Sequence, residues 1–379
     1  MTMTEERRAI VDAVRGFAST VLAPNASEWD ATKHFPVDAL AQAGELGLGG
    51  IYVQEDIGGA GLSRADAVAI FEELAKGDTA IAAYISIHNM VAWMIDTFGT
   101  DAQRQRWVPG MVAMTDLGSY CLTEPGAGSD AAALTSSARR DGDDYVLDGV
   151  KQFISGAGSS AVYIVMARTG ERGPKGISAI VVPAETPGLS FGPNEQKMGW
   201  NAQPTRQVVL EGVRVPVANR LGAEGEGFSI AMKGLNGGRV NMGACSLGGA
   251  QWALDRTLRY VQEREAFGTP LSANQSVVFT LADIETELQA ARALLFRAAE
   301  KMDEGASDVA AACALAKRFA TDAAFDAANA ALQLHGGYGY LHEYGIERVV
   351  RDLRVHQILE GTNEIMRLIV GRDLLAGAR

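Results

Sequence analysis

The stretch HQILEGTNEIMR, residues 356–367, sets Glu360 behind the apolar pair Ile358-Leu359 and in front of Gly361. A carboxylate among apolar neighbours is poorly hydrated, which raises its pKa and makes it a stronger base once a substrate closes over it. A surface glutamate near a helix start fits the same residues, because Gly361-Thr362-Asn363-Glu364 reads as a loop entering a helix that runs on through Arg372.

Four further segments carry residues able to meet a ligand. In YCLTEPGAGSD (120–130), Gly126 and Gly128 free the backbone for close approach, and Thr123 and Ser129 offer hydroxyls; a plain Pro-Gly turn explains them as well. In GVKQFISGAG (149–158), Phe153 lies two residues before Ser155, in what reads as a loop near a strand end. A flat ring could meet both, and so could a core phenylalanine followed by a turn serine. GLNGGRVNMG offers Asn236 and Arg239, the latter facing either a polar ligand or solvent. ALQLHGGYGY (331–340) ends a helix at a glycine pair beside His335, a residue that could equally be packed or capping. Five histidines, none in HExxH spacing, give no metal site, and neither GxSxG nor GxxxxGK[ST] occurs. A strand–GxGxxG–helix unit is also missing from the opening region.

The elements that must position these residues change texture twice. Up to about residue 116 apolar residues recur at helical spacing, as in Ile10, Val14, Phe17 and Val21, and Ser63 with Asp66 has capping-box spacing for a helix through Lys76. Residues 117–225 turn to short β-branched runs, YVLDGV, AVYIVMA, ISAIVV and RQVVLEGVRV, which predict an antiparallel β domain. From 226 to 379 helical periods return, clearest in IETELQAARALLFRAAEKM and DVAAACALAKRFATDAAFDAANAALQL. The expected architecture is α+β: a helical domain over 1–116, a β domain over 117–225 and a helical bundle over 226–379, with a site where the layers meet.

A chain of 379 residues needs no disulfide or metal staple. Its net charge of −12 argues against nucleic acid or an anionic membrane as partner. Cys121, Cys245 and Cys313 lie far apart, which fits a reducing compartment. The amino-terminal stretch, with Glu5 and Glu6 early and no long apolar core, resembles no targeting segment, so a cytoplasmic protein, or a mature mitochondrial matrix chain, is expected.

Taken together, TEPGAGSD, GVKQFISGAG, EREAFGTPL…NQ, QLHGGYGY and ILEGTNEIMR occur in the order and spacing of the acyl-CoA dehydrogenase family, and the resemblance covers essentially the whole chain. It implies a three-domain fold with a carboxy-terminal four-helix bundle, a homotetramer, one FAD per subunit, an acyl-CoA substrate, and electron-transfer flavoprotein as acceptor. By this resemblance Glu360 is the base that takes the α-proton. Tyr120, Cys121, Leu122, Thr123, Gly128 and Ser129 match the flavin-contacting loop, with Ser129 also reaching the CoA side. Phe153, Ile154 and Ser155 match the segment beside the flavin ring, Ser155 standing where many members have threonine. Arg264, Asn274, Gln275 and the run Gln333, Leu334, His335, Gly336, Gly337 match positions for the adenosine diphosphate end of FAD, in part from a neighbouring subunit. Thr362, Asn363 and Glu364 add to the flavin site. Asn236, Gly237, Gly238, Arg239 and Arg372 match substrate-side positions, with Asn236 where many members have aspartate. In some subgroups the base lies on the helix just before the arginine; here that position is Gly238, leaving Glu360 to supply it. The passages GPKGIS, TPGLSFG, GWNAQPTR, VPVANR and KGLNGGR resemble members acting on isobutyryl-CoA to give methacrylyl-CoA in valine breakdown. Other short or 2-methyl-branched chains, and a non-catalytic binding protein of the same fold, are the alternatives.

Overall fold

A computed structural model describes residues 5–377; residues 1–4 of the amino-terminal stretch and the last two residues lie outside the described residues. The opening region is helical: α1 (Glu5–Phe17), a π-helical turn, α2 (Ala23–Thr32), α3 (Val37–Glu45), α4 (Arg64–Gly77), α5 (Thr79–Phe98) and α6 (Asp101–Val112). Val14 and Phe17 of α1 are buried at the expected spacing. The capping box forms with aspartate in the reciprocal position: Ser63 Oγ accepts from the Asp66 amide at 3.0 Å, and Asp66 Oδ2 accepts from the Ser63 amide at 3.2 Å.

The middle of the chain forms β1 (Gly118–Cys121), β2 (Ser137–Asp141), β3 (Asp144–Ser155), β4 (Val162–Arg168), β5 (Ile177–Pro183), β6 (Leu189–Phe191), β7 (Thr205–Pro216) and β8 (Arg220–Leu221). They make one eight-stranded sheet in the order β6-β7-β3-β2-β4-β5-β8, with β1 against β4. The sheet departs from the antiparallel expectation in two pairings, both on β4: β1 runs parallel to it, Gly118 facing Val162 through Cys121 facing Val165, and Ser137 of β2 makes a single parallel bridge to Arg168. Everywhere else it is antiparallel. The β2–β3 hairpin between β1 and β4 carries the chain back to its starting end, which is the crossover a parallel pair requires.

Helices return with α7 (Gly227–Glu263), followed by a small β9–β10 hairpin (Glu265–Ala266, Thr269–Pro270), α8 (Gln275–Asp303), α9 (Val309–His335), α10 (Ile346–His356) and α11 (Asn363–Gly377). The two helical regions share one core: Phe17, Leu40, Phe71, Leu74 and Ile81 pack with Leu247, Leu254, Leu288, Leu295 and Leu353. A second cluster joins α5 and α6 to β4, β5 and the start of α7, and a third fills the β domain itself. Arg292 of α8 also holds Glu72 of α4 at 2.6 Å. Residues between these clusters are therefore fixed from three sides at once.

Candidate active site

Between the end of α10 and the start of α11 the chain makes a tight turn in which Glu360 has φ 55° and Gly361 φ 94°. Glycine adopts that conformation freely; glutamate there costs about 1–3 kcal/mol, which surrounding contacts must offset. Two buried cations do so. Arg239 Nε of α7 donates to the Glu360 carbonyl at 3.1 Å, and Lys317 Nζ of α9 donates to the Gly361 carbonyl and to Asn363 Oδ1, each at 2.9 Å. The Asn363 side chain also donates to Thr321 Oγ1 (2.9 Å) and Asp322 Oδ1 (2.7 Å) of α9.

The turn points the Glu360 side chain at the bare backbone of Gly238, where an added Cβ would fall 2.0 Å from Oε2. Oε2 is sealed from solvent with no hydrogen-bond partner. Burial raises the Glu360 carboxyl to about 7, against the opposing pull of Arg239 and Lys317. A carboxyl so placed is about half ionised at neutrality and its anion is poorly satisfied, the condition of an effective general base. Among the described residues its own amide N–H has no acceptor, so the same residue can also donate to a carbonyl.

Glu360 lines a cavity of about 740 Å³. The other walls are Leu235 and Arg239 of α7, Tyr120 and Leu122 at the β1 end, the Gly128-Ser129 loop, Phe153 to Ser155, Gly199-Trp200, and Ile365 and Arg372 of α11. Phe153 is not in a loop as expected. It sits within β3 at φ 60°, where the register with β7 shifts between Lys151 and Ile154; the bulge turns its ring out of the sheet, leaving it 64% exposed. Beside it the Tyr120 hydroxyl is buried without a partner, its pKa pushed up by burial and then by the Glu360 charge. A Cβ at Gly126 or Gly128 would meet nothing within 4 Å. An exposed ring, an unpaired phenol and an open glycine backbone suit a flat heteroaromatic group edged with donors and acceptors, which is the chemistry of a flavin.

The loop carrying Thr123 to Ser129 is anchored from below. Glu124 accepts from the Thr135 and Ser136 amides and from Lys151 Nζ at 2.8 Å, a wholly buried lysine. Burial would raise the Glu124 carboxyl, but Lys151 holds it down to about 2. Neither Lys151 nor Lys317 stands out in the sequence, where each is a single lysine in an otherwise ordinary strand or helix.

Several expected residues lie elsewhere. The Cys121 side chain, fully buried, faces the core of the β domain, because alternate strand residues point to opposite faces. Arg239 is buried, not solvated, and spends its donors on Glu360 and on Asn236 Oδ1 at 2.8 Å; Asn236 and Gly237 stand outside the cavity wall. Thr362, Asn363 and Glu364 also stand outside it: Asn363 is committed to α9, and Glu364 is exposed at the start of α11. Arg264, Gln333, Leu334, His335, Gly336 and Gly337 line a second, separate cleft of about 520 Å³. There the His335 ring stacks on Tyr260 at 4.3 Å with its Nε2 unpartnered. Asn274 and Gln275, at the start of α8, are not part of that wall; Asn274 donates to the Leu271 carbonyl instead.

The chain matches, in order, the N-terminal domain of acyl-CoA dehydrogenase over residues 4–115, the middle domain over 119–213 and the C-terminal domain over 225–375. It is 52% identical over 375 residues to the mitochondrial isobutyryl-CoA dehydrogenase of Bos taurus, covering 99% of this chain and 90% of that one. Its fold superposes with a TM-score of 0.96 on butyryl-CoA dehydrogenase from Megasphaera elsdenii, 38% identical, covering 99% of each chain. The TM-score is 0.97 against a 39% identical chain in the structure described as the electron transferring flavoprotein of Acidaminococcus fermentans, again covering 99% of each. With a buried, unpaired carboxylate facing a cavity fit for a flavin, and with all three of its segments matched in sequence and fold, the chain belongs to the acyl-CoA dehydrogenase family of oxidoreductases.

Proposed function

We propose that this enzyme dehydrogenates a short branched acyl-CoA, isobutyryl-CoA to methacrylyl-CoA, in the breakdown of valine, with Glu360 taking the α-proton. The observation that carries the reading is the Glu360 carboxylate itself: its Oε2 is sealed from solvent without a partner and lies against Gly238, while the residue lines the large cavity. An α-proton beside a thioester is weakly acidic, so charge growing on the thioester oxygen needs a donor; the unpaired Glu360 N–H is available for it. The proton passes to a Glu360 carboxylate oxygen. Exclusion of water by the bound acyl-CoA strengthens both interactions.

FAD, when bound, supplies the acceptor for the β-hydrogen as hydride. Tyr120, Leu122, Thr123, Gly128, Ser129, Phe153, Ile154 and Ser155 would hold its ring side, the Ser129 loop and Arg372 the CoA side. The cleft at Arg264 and His335 stands apart from the main cavity, as expected if it serves a neighbouring subunit's FAD in a homotetramer. Electrons would leave to electron-transfer flavoprotein, a partner supported by the Acidaminococcus structure. No described helix is long and apolar enough to cross a membrane, and three buried free cysteines fit the cytosol or the mitochondrial matrix.

The substrate reading rests on relatives named for isobutyryl-CoA at 52% identity. The butyryl-CoA dehydrogenase likeness keeps a straight short chain as the competing substrate. One methylene is worth about 1–3 kcal/mol in an apolar pocket, so steady-state comparison of isobutyryl-, 2-methylbutanoyl-, butanoyl- and isovaleryl-CoA decides between them. The test of the chemistry is Glu360→Gln. That variant should stay yellow and bind acyl-CoA while turnover drops about 10³-fold or more; turnover near that of the parent protein would end the assignment.

A further inference from the structure

We propose that Lys317, on α9, is a positioning residue for the base: its ammonium grips the Gly361 carbonyl and Asn363, pins the Glu360 turn and sets a positive charge behind it. The inference rests on Glu360 being the base. Lys317 is fully buried in the first half of a helix whose neighbouring positions Ala314, Ala316 and Ala320 are buried too. Its two hydrogen bonds go to neutral oxygens, the Gly361 carbonyl and Asn363 Oδ1. An uncharged donor such as glutamine could meet such oxygens without the cost of desolvating an ammonium. A charge at this position is useful only opposite an anion, and the anion acting on it most strongly is Glu360.

The geometry is reciprocal. Arg239 from α7 holds the carbonyl of Glu360, and Lys317 from α9 holds the next carbonyl, that of Gly361, so both members of the positive-φ pair are gripped by a cation from a different helix. Facing the carboxylate are Arg239 and Cys245 of α7, Lys317 of α9, Tyr120 of β1 and Tyr52 from the α3–α4 connection. Burial pushes the thiol and both phenols up, so they stay neutral, and the field at Glu360 comes from the two cations. Around Lys317 itself stand Glu360, then Arg239, Asp322 and Glu364, while His356 at the end of α10 is kept neutral by burial and by Lys317. Arg239 lines the cavity; Lys317 lies behind the turn, outside the cavity wall, and touches its backbone.

The experiment compares Lys317→Gln and Lys317→Met in the FAD-loaded enzyme, reading flavin bleaching by isobutyryl-CoA across pH 5 to 9, acyl-CoA Kd and thermal unfolding. Both variants lose the charge, so the acid limb of the rate profile should move upward by about one pH unit, tenfold in the ionisation constant. Glutamine keeps a donor for the Gly361 carbonyl and should hold the high-pH plateau within a few-fold. Methionine should lower that plateau about tenfold or more as the turn loosens, with acyl-CoA Kd unchanged in both. An acid limb that stays where it was in folded Lys317→Gln overturns the proposal, as does a methionine plateau equal to the parent's. If Lys317→Met fails to fold, the position of the glutamine acid limb decides alone. An active Glu360→Gln would instead remove the base reading beneath it, which separates the two failures.

Discussion

Gly238→Ala tests whether the Glu360 carboxylate works from the place the fold gives it. The new Cβ would lie 2.0 Å from Oε2 and 2.5 Å from both Cδ and Oε1. Ordinary contact begins near 3.4 Å, so the carboxylate must retreat by about 1.4 Å. Only the end of a flexible side chain has to move, and alanine favours a helix over glycine by about 1 kcal/mol, so α7 itself should tolerate the change. Misplacing a reacting group by about 1 Å costs roughly 10²-fold in rate. Stopped-flow bleaching of the yellow enzyme by saturating isobutyryl-CoA should therefore slow about a hundredfold, while flavin content and melting temperature stay close to the parent's. A variant that bleaches at the parental rate would refute the reasoning, since no base could be displaced so far without consequence. Lost flavin or a collapsed melting temperature would refute the claim that the damage is confined to the base.

Three further outcomes follow from the same geometry. Glu360 titrates near 7 in the folded enzyme against an ordinary value of 4.5, so between those pH values the folded chain holds a proton that the unfolded chain has released. Its contribution to stability is then lost as pH rises through that window, by up to about 3 kcal/mol; Glu360→Gln should melt higher than the parent at pH 8 and level with it at pH 4, by calorimetry. Lys151→Met strands Glu124 as a buried anion and should cost about 3–5 kcal/mol in urea denaturation, releasing flavin well before the fold melts. Phe153→Ala removes a ring that is 64% exposed and so should leave the melting temperature of the flavin-free protein unchanged, while flavin is lost on gel filtration.

The sequence made some of this legible and hid the rest for identifiable reasons. Glu360 was visible because a carboxylate after Ile358-Leu359 is out of place, and Gly238 because a glycine stands where a base could otherwise lie. The long α8 and α9 were readable from their period. Strand β1 was not: four residues, buried and paired in parallel with a strand some forty positions later, give no local signal. Phe153 was assigned to a loop because a bulge breaks the alternation that marks a strand. Lys317 escaped because a lysine on an amphipathic helix reads as part of its solvated face, whereas here it lies on the buried face with Ala316 and Ala320. The division of the flavin-related motifs between two clefts is likewise a property of the folded shape, since ALQLHGGYGY precedes ILEGTNEIMR by only about twenty residues yet lines a different wall.

Beyond its first residue, the helix α7 carries glycine at 234, 237, 238, 243, 248 and 249. Each lets a neighbour come close: Met94 at Gly234, Leu295 at Gly243 and the Glu72 carbonyl at Gly248 would all collide with a methyl group. Together these glycines remove about 5 kcal/mol of intrinsic helical preference, so a peptide spanning this segment should be largely random in water. The rod against which Glu360 rests thus takes its straightness from its surroundings, and α7 should become helical only as the core of both helical regions closes around it.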